Sequence, residues 1–300
     1  MIRIFGTLFA GLIGLAFGSF LNVCVTRWPE EESVTRPRSH CRSCGRTLSW
    51  WENVPLLSWL ALRGRCRTCH ASIGWRRPLV ELTLCALWAF SVWQVLGAVP
   101  DLGFAAISSS DAINLSRGIA LLIFLWLLVA LAVLDAENLW LPDWLTWTGI
   151  GLGLVLGVTR ATLDTFLNLG GGFAIWEHMA VTAAAFWFLG AVPAAAVILA
   201  IRWLYILVRH REGIGLGDAK LMAMIGGWLG LKGALLSFAL GVALGGVVAI
   251  LLLALPSKAT SDEGWAQTKL PLGTYLCVGG IISGLWGQPI IAAYLRWSGL

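Results

Sequence analysis

The sequence predicts an all-α polytopic membrane protein of about eight transmembrane helices, with a small cytoplasmic zinc-binding insert between the first two. Three observations predict it. The 300-residue chain is 58% hydrophobic and 12% charged, with 18 Trp, a composition typical of integral membrane proteins. Its apolar residues are gathered in long uncharged runs, not in the period-two alternation of barrel strands. Its basic residues are uneven: ten Arg stand against four Glu between Arg27 and Pro78.

The runs follow in order. Ile4–Thr26 is too long for a signal-peptide core and leads straight into an arginine-rich segment, so it reads as a span and not a cleaved leader. Leu82–Pro100, Gly118–Leu134, Trp144–Thr159 and Met179–Ile201 come next, and Gly233–Ser257 and Leu270–Leu295 close the series. An eighth run, Leu221–Leu231, has eleven residues, too few to cross a core of about 30 Å at about 1.5 Å per residue. Lys220 and Lys232 flank it and can snorkel to opposite headgroup layers. Small-residue spacings, Gly14-x-x-x-Gly18 and Gly241-x-x-x-Gly245, suit close helix contacts in lipid.

Basic residues set the orientation. Residues 28–78 read as cytoplasmic, which puts the N-terminus outside. Alternation then places Asp101–Ser116 and Arg160–His178 outside, and Arg209–Lys220 and Pro256–Lys269 inside. The net charge of +5 is this topology signal, and no nucleic-acid partner is expected. Three regions result: the first span (1–27), the insert (28–78) and a membrane bundle (79–300).

The insert contains a repeat at an offset of 25: Cys41-Arg42-Ser43-Cys44 matches Cys66-Arg67-Thr68-Cys69, Leu48 matches Ile73, and Trp50 matches Trp75. Two Cys-x2-Cys units separated by 21 residues read as a four-thiolate zinc site. Four ligands leave no open position for water, so the zinc is structural. Disulfides are the rival reading, disfavoured by the reducing cytoplasm. His40 and His70 abut the thiols and read as neighbours of the ligand set. Cys24, Cys85 and Cys277 lie in apolar runs and read as small buried residues.

An ionisable group within a membrane segment is costly and marks a functional site by default. Asp218 lies in Gly215-Leu216-Gly217-Asp218-Ala219-Lys220, where the glycines permit a tight turn or a close approach. Asp135, Glu137 and Asp143 cluster between the third and fourth spans, and Glu81 opens the second. Asp135 and Asp218 fall on the same side of the membrane although 83 residues apart. Two facing carboxylates cannot both ionise at close range, so they share a proton and suit amide hydrolysis. Asp143, after Pro142, reads as a helix N-cap. Spacing does not choose between Asp135 and Asp143 as the partner of Asp218. Glu81 is a candidate partner for Arg76 or Arg77, and Lys220 reads as a snorkelling side chain.

These residues resemble the type IV prepilin peptidases, GxGD aspartic proteases of the bacterial inner membrane, nearly end to end. The resemblance rests on Gly18-Ser19-Phe20-Leu21-Asn22-Val23, the two Cys-x2-Cys units, Asn53-Val54-Pro55-Leu56-Leu57-Ser58-Trp59-Leu60, Arg63-Gly64-Arg65-Cys66-Arg67 and Pro78-Leu79-Val80-Glu81-Leu82. It continues through Asp135 to Leu141-Pro142-Asp143 and through Gly215-x-Gly217-Asp218-x-Lys220-Leu221. It implies Asp135 and Asp218 as the catalytic pair, prepilins and type II secretion pseudopilins as substrates, and a periplasmic N-terminus. It also implies methylation of the new N-terminus from S-adenosylmethionine, for which the chain shows no Rossmann-type loop. One departure stands out: relatives often read Pro-x-Gly-Pro where this chain has Pro271-Leu272-Gly273-Thr274. Glu30, Glu31 and Glu32 are candidate contacts for a basic leader, against the plainer reading of a solvated acidic turn. An ion-coupled transporter is the alternative function, since broken helices and buried acids serve that too.

Overall fold

Close approach at small residues builds the bundle. A Cβ on Gly14 would sit 2.7 Å from the Leu84 carbonyl oxygen, and one on Gly18 would sit 2.7 Å from the Glu81 Cα. Those glycines therefore let helix α1 (Ile2–Arg27) lie directly against α3 (Arg76–Gly97). Without a hydrophobic drive between helices in lipid, such backbone contact is what van der Waals packing requires. The computed structural model describes residues 1–97, 109–169, 173–210, 215–254 and 270–299. The expected inner loop Pro256–Lys269 lies outside the described residues, as do residues 101–108, 170–172 and 211–214 of the other three expected loops.

The remaining α-helices are α2 (Leu57–Ala61), α4 (Ser109–Asn138), α5 (Asp143–Leu169), α6 (Phe173–Arg209), α7 (Leu216–Ala254) and α8 (Leu272–Ser298). Among the described residues, seven are long and apolar enough to cross a membrane: α1 and α3 through α8. The chain forms two compact units, Met1–Ala130 and Leu131–Leu300. In the second, α6 meets α7 where Gly190 and Gly226 face each other, each too close to the other's carbonyl for a side chain. Gly241 and Gly245 of α7 lie against Leu276 and Tyr275 of α8, as their spacing suggests.

The span count differs from the sequence expectation for a definite reason. Over the described residues, Leu221–Leu231 and the run that starts at Gly233 are not two separate spans; they belong to the two arms of α7, which ends at Ala254 and breaks at Gly230 with φ 72° and ψ 172°. That conformation is essentially restricted to glycine. The short arm thus continues into its successor through a backbone break, not a loop. Gly230→Ala is expected to destabilise the second unit by about 1–3 kcal/mol, read as a lower midpoint in detergent-phase thermal unfolding.

The insert shows its internal repeat in three dimensions. The Cys41 amide donates to Arg46 O and the Cys66 amide to Ala71 O, both at 2.9 Å. Leu48 bonds Ser39 O, and Ile73 bonds Gly64 O. The bridges His40–Thr47 and Arg65–Ser72 occupy matching places. Each turn needs one left-handed residue: Gly45 at φ 69° in the first and His70 at φ 54° in the second. His70 is thus a turn residue. Glu52 ties the unit together, accepting both Arg46 terminal nitrogens (2.6 and 3.1 Å) and the Ser49 amide at 2.8 Å. The Arg46 guanidinium holds the Glu52 carboxyl down at about 2. Because the folded value is depressed below the ordinary 4.5, this pair stabilises fully above pH 4.5 and fades as the pH falls toward 2.

Candidate active site and metal centre

Four helix ends build the carboxylate site. Asp135 is in the last turn of α4, Asp143 opens α5, Asp218 is in the first turn of α7, and Thr274 is in the first turn of α8. The N-terminal first turns of α5, α7 and α8 carry partial positive charge, which favours carboxylates there. Asp135 is 6% exposed and Asp218 8%. The charge of Asp135 acts on Asp218, and both act on the fully buried Cys277 of α8. Both carboxylates are thus buried at helix ends of the second unit.

Leu139, at φ 50°, turns the chain out of α4, its amide bonding the Asp135 carbonyl at 2.9 Å. Leu141 then lies between the starts of α7 and α8. A Cβ on Gly217 would sit 3.3 Å from Leu141 Cβ, and one on Gly273 would sit 3.0 Å from Leu141 Cδ1. Gly217 is not in the left-handed region, so its role is space for Leu141 and not a tight turn. Gly217→Val should displace Leu141 and move Asp218 with it. On the peptidase activity that the resemblance implies, a loss of about 100-fold in turnover with a small change in melting temperature is expected, measured by peptide cleavage beside a thermal scan.

Two plainer expectations change. Lys220 does not merely snorkel: its Nζ donates to Asp143 Oδ1 at 2.5 Å. Asp143 is the first residue of α5, and its side chain serves that ion pair. With Asp143 65% exposed, the pair contributes little to stability, and its effect is to tie the start of α5 to α7. In the first unit, Glu81 accepts the Leu56 amide at 2.8 Å, anchoring the insert to α3. Arg76 donates to Thr26 Oγ1 at 3.0 Å, and of the two expected partners Arg77 interacts with Glu81 through its charge. Glu30 pairs with Arg42 at 3.2 Å, both well exposed.

Sequence reasoning passed over Thr274 except as a missing proline. Its amide donates to Asp135 Oδ2 at 2.7 Å, and its Oγ1 lies 3.1 Å from the same oxygen and 3.0 Å from Ala132 O. That departure from the family pattern was the one available signal.

The second centre lies in the insert. The sulfurs of Cys41, Cys44, Cys66 and Cys69 all lie within 4.8 Å of one another. Cys41 Sγ and Cys69 Sγ are 3.7 Å apart. A tetrahedron with metal–sulfur bonds of about 2.3 Å has edges of about 3.8 Å, so the spacing suits one metal ion and all four cysteines are free thiols. Amides of Cys69 and Thr68 directed at Cys66 lower its thiol to about 6. Amides of Cys44 and Ser43 likewise lower Cys41. Cys69 has the Ala71 amide beside it, yet burial and the neighbouring sulfurs push it up to about 11. A cation among the sulfurs would favour the thiolate form that metal ligation requires.

A helical bundle with buried carboxylates at converging helix ends defines a polytopic integral membrane protein with a candidate carboxylate site, whose first unit also holds four cysteines that could bind a metal ion. Residues 12–95 match the bacterial peptidase A24 N-terminal domain, and residues 122–250 match the type IV leader peptidase family. The chain is 34% identical to a prepilin leader peptidase/N-methyltransferase of Stutzerimonas stutzeri, covering 96% of this chain and 93% of the relative. Similar enzymes of Pseudomonas aeruginosa and Aeromonas hydrophila are each 33% identical, over 96% and 95% of this chain and 93% and 92% of theirs. No solved structure matches significantly. The chain belongs to the type IV leader peptidase family. That membership leaves the transporter reading without support.

Proposed function

We propose that this chain removes the leader from type IV prepilins and type II secretion pseudopilins at the cytoplasmic face of the bacterial inner membrane, with Asp135 and Asp218 as its catalytic pair, and N-methylates the new N-terminus. The observation that carries this is the convergence of two buried carboxylates on four helix ends in a chain of this family. The ionised carboxylate takes a proton from a water molecule as its oxygen attacks the scissile carbonyl. The protonated one donates to the carbonyl oxygen. When the C–N bond breaks, the nitrogen leaves with a proton as the new amine and the leader ends in a carboxylic acid. The bond follows a glycine of the leader, and unwinding of the substrate helix at its cytoplasmic end delivers it.

The four cysteines Cys41, Cys44, Cys66 and Cys69 hold structural zinc in the insert, residues 28–78, between the first span and the peptidase bundle of residues 79–300. The N-terminus is periplasmic. The methyl group comes from S-adenosylmethionine. The Met1–Ala130 unit has a cavity of about 470 Å³ lined by Asn22, Trp59, Arg77 and Glu81 among others. Asn22 Oδ1 is buried there without a hydrogen-bond partner. The size lies in the range of small-ligand sites. An unmet acceptor, a carboxylate and an indole suit the amine, hydroxyl and purine groups of that donor, so these residues would hold it.

The test uses purified protein in nanodiscs, a prepilin and S-adenosylmethionine, read by intact mass. Leader loss followed by the mass of one methyl group is expected. An unchanged prepilin would overturn the peptidase reading; cleavage without added mass would overturn methylation.

A further inference from the structure

We infer that Thr274 is a positioning residue for Asp135: it occupies Oδ2 and so leaves Oδ1 as the oxygen that meets water and Asp218. This rests on the proposed peptidase reading. The Thr274 amide donates to one carboxylate oxygen at 2.7 Å, and the single hydroxyl proton is shared between that oxygen, at 3.1 Å, and a backbone carbonyl. The hydroxyl is also 3.0 Å from Ala132 O, one turn before Asp135 in α4. The start of α8 is therefore bound to both the backbone and the side chain of the α4 end. Gly273 makes the approach possible, since a Cβ there would sit 2.9 Å from Asp135 Oδ2.

An amide N–H can only donate, so the oxygen it meets is an acceptor and carries no proton along that direction. Donors directed at Oδ2 favour its unprotonated form, so the proton shared by the pair is favoured on Asp135 Oδ1 or on Asp218. A carboxylate with one oxygen fixed has one reacting oxygen, and its rotation is arrested. Proline at position 274 would lack both the N–H and the hydroxyl, so this chain fixes Asp135 by means that a Pro-x-Gly-Pro sequence does not have. The ionisable groups on which the charge of Asp135 acts are Asp218 of α7 and Cys277 of α8.

Three substitutions separate hydrogen bonding from packing. Thr274→Ser keeps both donors and loses a methyl group. Thr274→Val keeps the shape and the amide but loses the hydroxyl. Thr274→Pro loses both donors at a helix position that tolerates proline. Prepilin cleavage should show kcat near wild type for Ser, about tenfold lower for Val and lower again for Pro, each with KM unchanged. The reverse order, Val near wild type and Ser impaired, would mean packing and overturn the proposal. So would full activity of both Val and Pro. A second readout does not need activity: the 13C carboxyl resonance of Asp135, assigned by its loss in Asp135→Asn, should titrate at a different pH in Val and Pro than in wild type and Ser. An unmoved titration in Pro overturns the proposal. A moved titration in a protein that cuts no prepilin supports the positioning and overturns the peptidase reading instead.

Discussion

Asp218→Asn and Asp135→Asn are each expected to lower leader removal by about 10³-fold or more. A positioned acid or base contributes about 10²–10⁴, and in a shared-proton pair the loss of either member removes both roles. Asparagine is nearly isosteric and cannot exchange the proton. Burial makes the effect selective: both carboxyls are nearly inaccessible, so exchanging a charged group for a neutral one should not unfold the bundle. Thermal midpoints at or above the wild type are therefore expected beside the lost activity. The measurement is intact-mass quantification of mature pilin under single-turnover conditions. Asp143→Asn is the control. Its side chain is 65% exposed and paired with Lys220, so it should retain most activity. Full activity of either buried variant would remove the pair as the catalytic centre.

The second large effect concerns the metal. Removing the ion with a strong chelator, or one ligand by Cys44→Ser, should unfold the insert. Structural zinc binding carries about 10–16 kcal/mol in small domains, far more than other contacts in about fifty residues supply. The largest of those contacts, the Arg46–Glu52 fork, is a single pair. The expected readouts are one zinc per chain in the wild type, less than one in the variant, and rapid proteolysis within residues 28–78. A Cys44→Ser protein that kept full zinc and resisted proteolysis would refute the site. The pH behaviour separates the contributions. Glu52 gives up its share only below pH 4.5, so loss of the insert between pH 7 and 5 would report thiolate protonation and metal release.

Much of the fold was legible because lipid leaves few options. A span must satisfy its own backbone, so long uncharged runs can only be helices, and all seven membrane helices coincide with such runs. Gly14, Gly18, Gly241 and Gly245 were readable as contact points since only small residues let backbones touch. The 25-residue repeat was legible as paired turns because the cysteine spacing requires them. The Gly230 break was not legible. Gly226, Gly227, Gly230 and Gly233 all lie in the same stretch, and only neighbouring helices decide which one bends.

By itself the sequence determined the chemistry available: two acids in apolar surroundings, four thiols at metal spacing, and a family pattern joining them. Composition and spacing act locally, so they survive without coordinates. Tertiary structure decided which groups meet. Asp135 and Asp218 are both buried where helix ends converge, Asp143 is drawn off by Lys220, and Leu141 fills the room left by Gly217 and Gly273. Thr274 shows the difference most clearly. In the sequence it is a missing proline; in the fold its amide, 139 residues from Asp135, holds one oxygen of that carboxylate. Hydrogen bonds over such separations depend on helix packing, and no local pattern encodes them.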